Sequence, residues 1–462
     1  MTMKKALFFA CLIGGVLNLA AAAAPEPPLV WVTPPGFDPQ KPGLGMEQLP
    51  GITTVSIYDP LISNADPSMG GHRAYESVLH GTYNHHQQFV IIGDEILVFW
   101  TNHVRDENGP GQRILARTGR FDGKGGIIWA PAEKIVEVAP PGHPPRFRSE
   151  VDDQDTVDGA FMDGTLFLAD GRLFLRGRLL LCDGWTDRPE YHFPPKTEPI
   201  PDENYSPGKT KTHRMDCYWY FTTFVQEWKL ADGQLLPVSP LYLLNPLPTE
   251  LRLTPTIVKK VAPFNEPYRS AKLLSEAPED FQRALAAPPT YFQRFPKYAS
   301  AADARAAADG KNGLAHYAEF HRPDGCWVAI RDNLLETRTI DRTYYAAVKK
   351  ADEPYFPPAE LTNLFGTAMP VAGELPDGKC WVIGSDISRC NAYITWSDDG
   401  KLFDRSRLLL SLQEKVTPGL CKPAVGGAQY FQSFSRDGAI YILYSVGKED
   451  VRMTRIPMEA LK

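Results

Sequence analysis

Eleven Asp-Gly pairs occur in the sequence, and most of them separate short runs of apolar, β-branched and aromatic residues. An Asp-Gly pair favours a tight hairpin, because a two-residue turn needs positive φ at both central positions. The pairs at 324, 377 and 437 recur at intervals of 53 and 60 residues, close to the length of one propeller blade with its loops. The spacing therefore predicts an all-β fold, a six-bladed β-propeller with room for a seventh blade.

Two stretches interrupt this rhythm. Residues 186–213 are polar and rich in proline, which indicates a long loop or an insertion at the rim. Residues 268–311 carry helical signals, with one short helix expected near 275–280 and an alanine-rich second at 300–308. Neither helix is long enough to stand alone, so both are expected to pack outside the sheets or over a mouth. We therefore predict a single propeller domain over 25–462 with a short helical insertion.

The first 24 residues have the layout of a secretory signal peptide. Lys4 and Lys5 precede an apolar run from Ala6 to Leu19, and five alanines follow before Pro25. No other stretch is long and apolar enough to span a bilayer. We expect cleavage of residues 1–24, export to the periplasm or the extracellular space, and no membrane insertion by the mature protein.

Charge and cysteine content argue against several classes of partner. Loss of Lys4 and Lys5 with the signal moves the formal net charge from −6 to −8, so nothing favours nucleic acid. Cys11 leaves as well, and the remaining cysteines permit disulfides whose pairing the sequence cannot rank; free buried cysteines are the alternative. None is spaced as a zinc ligand pair, and we predict neither a metal site nor a cofactor.

A dense polar cluster follows the strand expected at 96–100. It consists of side chains that can bind sugars, carry charge or transfer protons: Asn102, His103, Arg105, Asp106, Glu107, Gln112 and Arg113. A loop after a buried strand is where a rigid scaffold presents reactive groups. This cluster is therefore the leading candidate site, together with Tyr83, His85 and His86 upstream. The alternative is a surface loop whose charges pair with one another.

The same region carries a longer pattern, made up of Tyr83, Asn84, His85, His86, a strand ending in Trp100, and then Asn102, Asp106, Glu107, Gly111, Gln112, Arg113 and Trp129. This pattern resembles the opening blade of sialidase-like propellers with bacterial neuraminidase repeats. The resemblance continues through segments near 323–331, 375–384, 396–404 and 444–457, and so covers nearly all of the mature chain. It implies a six-bladed sialidase-like fold and a glycan or oligosaccharide substrate, as in proteins of the exo-alpha-sialidase type.

Two departures from that family bear on function. The family's Asp box, a structural hairpin with Ser, Asp, Gly and a terminal aromatic residue, is shortened at 397–403 and looser at 118–129. Sialidases also begin near an Arg-Ile-Pro motif whose arginine binds the substrate carboxylate, whereas Arg455, Ile456 and Pro457 lie at the other end of this chain. The resemblance therefore does not extend to activity on sialic acid, and we expect a charged or acidic glycan.

Binding of such a glycan requires a positive group. Arginine binds a carboxylate through two parallel hydrogen bonds. Arg113, Arg331 and Arg389 are expected on strands or strand-adjacent loops and can supply this contact. Replacement of Arg113 by alanine is expected to abolish turnover and to leave thermal melting nearly unchanged.

Hydrolysis also needs an acid and a base or nucleophile. Two carboxyl groups serve in most glycoside hydrolases, and a tyrosine supported by a glutamate serves in sialidases. Glu107 and Glu319 fit these roles, with Tyr317 on the same strand face as Glu319. An ordinary amphipathic strand is the alternative at 316–319. A glycoside hydrolase working by acid–base chemistry at the central mouth is thus the first hypothesis.

A polysaccharide lyase is the second hypothesis, because several sialidase-like propellers cleave uronic-acid polysaccharides by β-elimination with histidine and tyrosine. Such a site needs a base near the C5 proton and a positive group beside the uronate. Tyr83, His85, His86, His103 and Arg113 suit it. Adjacent strand residues point to opposite faces, so only one of His85 and His86 is expected to face the site, and we choose His86.

The third hypothesis is a non-catalytic glycan-binding propeller, in which Trp185, Tyr218, Trp219 and Tyr220 form a stacking platform for sugars. Both enzymatic hypotheses require the segments near 100 and 320 to meet at the central mouth of the propeller. The residues assigned to catalysis are His86, Glu107, Tyr317 and Glu319. The residues assigned to substrate binding are Tyr83, Asn102, His103, Gln112, Arg113, Arg331 and Arg389.

Overall fold

The computed structural model describes residues 27–59, 83–103, 112–137, 156–182, 218–252, 258–261, 264–287, 290–291, 317–331, 343–366, 369–412 and 427–462. Within these residues the chain forms four four-stranded sheets, one nine-stranded sheet and one two-stranded sheet. The five larger sheets are named blades A to E in chain order. The N-terminal segment precedes them with β1 (Val30–Trp31), a 3-10 turn (Pro42–Gly45) and β2 (Thr53–Tyr58).

Blade A is an antiparallel meander of β3 (Tyr83–Ile92), β4 (Glu95–His103), β5 (Arg113–Phe121) and β6 (Ile127–Val136). Alternate residues of β4 pack on opposite sides of this sheet. Leu97 and Phe99 lie in the core shared with blade B, whereas Val98 and Trp100 lie in the core shared with blade E. A strand buried on both faces needs apolar residues at every position, which explains the continuous apolar run at 96–100.

Blade B is the nine-stranded sheet. The elements of this region are β7 (Thr156–Ala169), β8 (Arg172–Cys182), β9 (Tyr218–Ala231), β10 (Gln234–Pro237), β11 (Tyr242–Leu243), β12 (Glu250–Arg252), β13 (Val258–Val261), α1 (Glu266–Arg269), β14 (Lys272–Leu273), a 3-10 turn (Leu274–Glu276), α2 (Glu279–Ala286) and β15 (Thr290–Tyr291). Helix α2 packs against the sheet through Phe281, whose ring lies 5.3 Å from that of Phe174 and 4.8 Å from that of Tyr242. The helix predicted near 275–280 is therefore present as the 3-10 turn and α2. The predicted helix at 300–308 and the loop at 186–213 lie outside the described residues.

The C-terminal half contains the three remaining blades. Blade C consists of β16 (Tyr317–His321), β17 (Trp327–Arg331), β18 (Thr343–Lys349) and β19 (Glu360–Phe365). Blade D consists of β20 (Val371–Glu374), β21 (Cys380–Ser385), β22 (Asn391–Ser397) and β24 (Arg405–Ser411), and β23 (Leu402–Phe403) pairs with β1. Blade E consists of β25 (Ala428–Arg436), β26 (Ala439–Val446), β27 (Asp450–Pro457) and β2, followed by a 3-10 turn (Met458–Leu461).

The blades follow one another around an arc. Blade B packs against A, A against E, E against D, and D against C. Strand β2 pairs with β27 from Thr53 opposite Arg455 to Tyr58 opposite Val451, so the N-terminal strand completes the last blade. This pairing joins the two ends of the chain in one sheet. The segment between blades B and C is 292–316, which lies outside the described residues.

The two ends of the sheets differ in their connections. The Asp-Gly pairs at 122, 170, 232, 324, 377, 399 and 437 all lie in turns at one end, which we name the turn end. Asp170, Asp232 and Asp437 have φ values of 51°, 54° and 49°, the left-handed conformation that the hairpin signal predicts. The Asp-Gly pair at 163 instead lies inside β7, where the strand register shifts. Since antiparallel strands alternate in direction, strands β4, β17, β21 and β26 end at the other end of the sheets, where β5, β18, β22 and β27 begin; we name it the mouth end.

Two further expectations concern thiols and membranes. Cys326, Cys380 and Cys390, the cysteines whose side chains the structure describes, are free thiols. Burial is the main cause that raises the pKa of the Cys380 thiol, to about 12. Neither α1 nor α2 has the length and apolar character to cross a bilayer, and the described part of the chain offers no other such helix.

Candidate functional site

The predicted site residues that the structure describes all belong to the mouth end. Tyr83 and His86 lie at the start of β3, Asn102 and His103 at the end of β4, and Gln112 and Arg113 at the start of β5. Tyr317 and Glu319 lie at the start of β16, Arg331 at the end of β17, and Arg389 in the β21–β22 turn. Glu107 lies outside the described residues. The segments near 100 and 320 therefore share one end of the fold.

Within blade A, several of these side chains form a buried polar network. The Oδ1 atom of Asn84 accepts hydrogen bonds from Trp100 Nε1 and Asn102 Nδ2, both at 2.8 Å. Asn102 Oδ1 in turn accepts a bond from Arg113 Nε at 2.9 Å. These side chains are at most 1% exposed, and so are those of Tyr83, His103 and Gln112. The network holds the mouth-end segments of β3, β4 and β5 in register.

Arg113 is fully buried in this network. Its Nη1 atom lies 3.7 Å from Oε1 of Glu137, and its guanidinium has no exposed surface. Burial lowers the pKa of Arg113 to about 10, because removal from water disfavours the charged form, and Glu137 opposes the shift. The geometry gives Arg113 a supporting role: it joins the start of β5 to the end of β4 beneath the mouth.

The two adjacent histidines differ in solvent exposure. His85 is fully buried, and its Nδ1 atom lies 2.8 Å from Ser445 Oγ of blade E. His86 is partly exposed and has a φ of 54°. It lies in a β-bulge, where the β3–β4 register shifts between His85 and Gln88. The bulge, rather than regular strand alternation, brings the His86 side chain to the surface while His85 stays in the interblade core.

Tyr430 of β25 lies beside both histidines. Its ring centroid is 4.2 Å from that of His85 and 5.5 Å from that of His86, both edge to face. Tyr430 has a φ of 56° and lies in a second bulge, between Gln429 and Gln432 of the β25–β26 pairing. It is partly exposed. The starts of the first strands of blades A and E thus meet through aromatic rings.

Arg389 reaches the same place from blade D. Its Nη1 atom donates to Oε1 of Gln429 at 2.7 Å, and its carbonyl accepts a bond from the Ala428 amide at 2.7 Å. The turn that carries it is ordered by Asp386, which accepts hydrogen bonds from the hydroxyl of Ser388 and the side-chain amide of Asn391. Arg389 is partly exposed, so its guanidinium can meet an anion at the mouth.

Blade C places its candidates on two neighbouring strands. Tyr317 pairs with Arg331 in the β16–β17 register, and Glu319 pairs with Ala329. Arg331 is 4% exposed, and its guanidinium lies 3.9 Å from the ring centroid of Tyr345, a cation–π contact. Glu319 is partly exposed, and the side chain of Tyr317 lies outside the described part.

Sequence reasoning missed Tyr430, Gln429 and Gln87. The segment from 427 to 432 reads as an ordinary strand start, and nothing in it signals a bulge. The preceding Gly427, with a φ of 79°, is the one local sign of unusual backbone. Among the described residues, no group of three or more His, Cys, Asp or Glu side chains is arranged to hold a metal ion.

Comparisons with known proteins place this geometry on a known fold. No family model and no curated protein matches the sequence. A solved sialidase matches over 93% of this chain and 35% of its own, with 15% identity and a TM-score of 0.57. A Trypanosoma rangeli sialidase in complex with 2,3-difluorosialic acid matches over 90% and 60% of the two chains, with 10% identity and a TM-score of 0.46. A leech intramolecular trans-sialidase complexed with 2,7-anhydro-Neu5Ac matches over 83% and 69%, with 11% identity and a TM-score of 0.41.

This chain spans about a third of the first of these structures. At 15% identity, the likeness to the first structure, with its TM-score of 0.57, defines the fold alone. The protein has an all-β, sialidase-like, propeller-type fold, which confirms the fold class that the sequence predicts. The activities of the matched proteins belong to those proteins.

Proposed function

We propose that the protein is an exported carbohydrate-active enzyme, a glycoside hydrolase that cleaves a charged or acidic glycan at the mouth end of its blades. The observation that carries this proposal is the meeting of His86, Tyr430 and Arg389, all partly exposed, at the junction of blades A, E and D. An anion-binding group beside titratable side chains is what cleavage of an acidic sugar requires.

Arg389 is the arginine best placed to bind the anion. Its guanidinium is partly exposed and is aimed by Gln429, whereas Arg113 is fully buried and Arg331 is nearly so. A planar guanidinium held by one hydrogen bond keeps its remaining donors for a carboxylate or sulfate. Arg331 and Arg113 then support the mouth from below, through Tyr345 and Asn102 respectively.

Glu107, Glu319 and Tyr317 are the acid, base and nucleophile candidates for hydrolysis. Glu319 is partly exposed at the start of β16, and Tyr317 precedes it by two residues on that strand. In the order A, E, D, C, two blades separate A from C along the described arc. In a six-bladed ring, blades so separated stand opposite each other across the axis.

A polysaccharide lyase is the second candidate, and the surface position of His86 favours it. In that reaction a base removes the C5 proton of the uronate, and the C–H electron pair forms a double bond to C4. The C4–O bond breaks at the same time, and a proton donor returns a proton to the leaving oxygen. His86 is available as the base, and Arg389 neutralises the uronate.

The test is a screen of the purified, signal-free protein against acidic polysaccharides, sulfated glycans, sialosides and synthetic glycosides. Hydrolysis produces new reducing ends with no ultraviolet absorbance from unsaturated uronates, whereas elimination produces both. Binding of a glycan with neither product supports the non-catalytic hypothesis. No cleavage and no binding across the whole panel would contradict the proposed function.

A further inference from the structure

Residues other than glycine with a positive φ, the left-handed backbone conformation, concentrate at one place in this fold. Three of those described are aspartates of Asp-Gly turns at the turn end, where such a conformation is expected. Four of the other five meet at the mouth end: His86, Arg389, Tyr430 and Lys448, with φ values from 54° to 62°. A bulky residue in this region costs about 1–3 kcal/mol, and such strain clusters at functional sites.

Backbone contacts join these strained positions to one another. The Asn84 amide, two residues before His86, donates to the Lys448 carbonyl at 2.7 Å. The amide of Gly447 donates to the carbonyl of Gly427 at 2.9 Å, next to the strand that carries Tyr430. The strained residues therefore belong to a single structure that spans three blades.

Gln87 connects the two bulges directly. Its Nε2 atom donates to the carbonyl of Gln429 at 2.9 Å and to that of Tyr430 at 2.6 Å. Gln87 is 1% exposed, so these bonds form away from water, where losing them is costly. The side chain that follows His86 in the chain thus fixes the backbone on both sides of the Tyr430 peptide.

We infer that Tyr430 is a further residue of the reacting centre, next to His86, and that Gln87 is the positioning residue that holds both at the mouth. This inference rests on the proposed function and extends it. The charged group of the glycan lies at Arg389, and the bond to be cleaved lies beside both the Tyr430 hydroxyl and the His86 imidazole. The buried His85 is held by its hydrogen bond with Ser445, and the Tyr430 ring packs against it.

The first test compares Tyr430→Phe with Tyr441→Phe. Tyr441 lies on the neighbouring strand of the same blade, and its hydroxyl donates to the Gly125 carbonyl at the turn end. Tyr430→Phe keeps the ring but removes the hydroxyl, so kcat should fall by about 10²–10⁴-fold with KM and melting temperature little changed. Tyr441→Phe should retain its kcat. A wild-type kcat for Tyr430→Phe would overturn the inference.

The positioning role of Gln87 is tested with Gln87→Glu. Near neutral pH its carboxylate faces two carbonyl oxygens, so kcat should fall. Protonation at lower pH restores one donor, so the ratio of mutant to wild-type kcat should rise as the pH is lowered. A ratio that stays constant with pH would contradict a positioning role, since a purely structural defect has no reason to titrate with this carboxyl group.

A binding readout separates this inference from the proposed function. Sodium glucuronate, galacturonate and N-acetylneuraminate are titrated into protein labelled at tyrosine ring carbons and histidine ring nitrogens, and the signals are followed by nuclear magnetic resonance. The Tyr430 and His86 signals should move, and those of Tyr441 should not. Movement without turnover of any glycan would contradict the enzymatic proposal alone. No response at Tyr430 to any probe would overturn the inference, whichever glycan the protein cleaves.

Discussion

Replacement of Arg113 by alanine should destabilise the fold. The arginine is fully buried, donates to Asn102 Oδ1 at 2.9 Å and lies 3.7 Å from Glu137. Its removal leaves the carboxylate of Glu137 without this counter-charge and empties the space of a long side chain. This burial replaces the expectation, drawn from the sequence, that melting would be nearly unchanged.

The magnitude follows from these contacts. Breaking a buried ion pair from one side costs about 3–5 kcal/mol, and the value here lies near the lower end because Glu137 is 23% exposed. Unfolding entropy is about 2.1 cal/mol/K per residue, so for a chain of this length each kcal/mol lowers Tm by roughly 1 °C. The expected fall in Tm is therefore about 3–4 °C, with a lower urea midpoint.

Two control variants separate the causes. Arg113→Met keeps most of the volume and removes the charge, so it should recover the part of the loss that comes from the cavity. Arg389→Ala removes a partly exposed arginine and should cost less than about 1 kcal/mol while raising KM for an acidic glycan. An Arg113→Ala protein that melts like the wild type but has lost all turnover would refute this reasoning, and would return Arg113 to direct substrate binding.

Three further predictions concern other parts of the molecule. Burial, followed by the nearby charge of Asp59, raises the pKa of Asp450 from 3.8 to about 7, so the folded state holds this proton more tightly and stability falls as pH rises across that range. The Asp450→Asn variant should lose less stability than the wild type between pH 5 and pH 8, measured as the difference between the urea midpoints at these two pH values. Asp399→Ala removes bonds from Lys401 and Leu402 amides at 2.7 and 2.9 Å, so it should lower stability by about 2 kcal/mol without changing kcat, because the turn lies away from the mouth. Gly427→Ala would place a Cβ atom 2.2 Å from the Arg389 carbonyl, so it should displace that turn and raise KM several-fold; an unchanged KM would count against Arg389 as the anion contact.

Local signals in the sequence were sufficient for the fold class. An Asp-Gly turn depends on two residues and their φ values, and seven of the eleven pairs lie in turns at one end of the sheets. Two pairs lie inside β7 instead: Asp158-Gly159 is in regular pairing with β8, and Asp163-Gly164 lies at a bulge, where glycine relieves the backbone without reversing it. The same local chemistry predicted the 3-10 turn and α2 near 275–280.

Burial of the polar cluster was harder to predict, because it depends on neighbours far along the chain. Asn102 and Arg113 look like a surface loop in the sequence, yet they bond to each other and to Asn84 within the blade. A polar residue at the end of a strand can face solvent or complete a buried network, and only the partner decides which. The predicted residues therefore lie at the correct end of the fold, but several of them support the mouth rather than line it.

The position of His86 shows the limit of strand alternation. The alternation rule places His85 and His86 on opposite faces, but their ring centroids lie only 4.5 Å apart, with His85 buried and His86 partly exposed. Strand alternation does not predict the direction of the His86 side chain, because His86 lies in a bulge. Its φ of 54° turns the side chain toward Tyr430. The bulge is stabilised by Gln87, whose two hydrogen bonds reach residues more than 340 positions away. Packing of blade E against blade A brings the first strand of one beside the first strand of the other, so the chemistry at this junction depends on a contact between distant parts of the chain that no local pattern encodes.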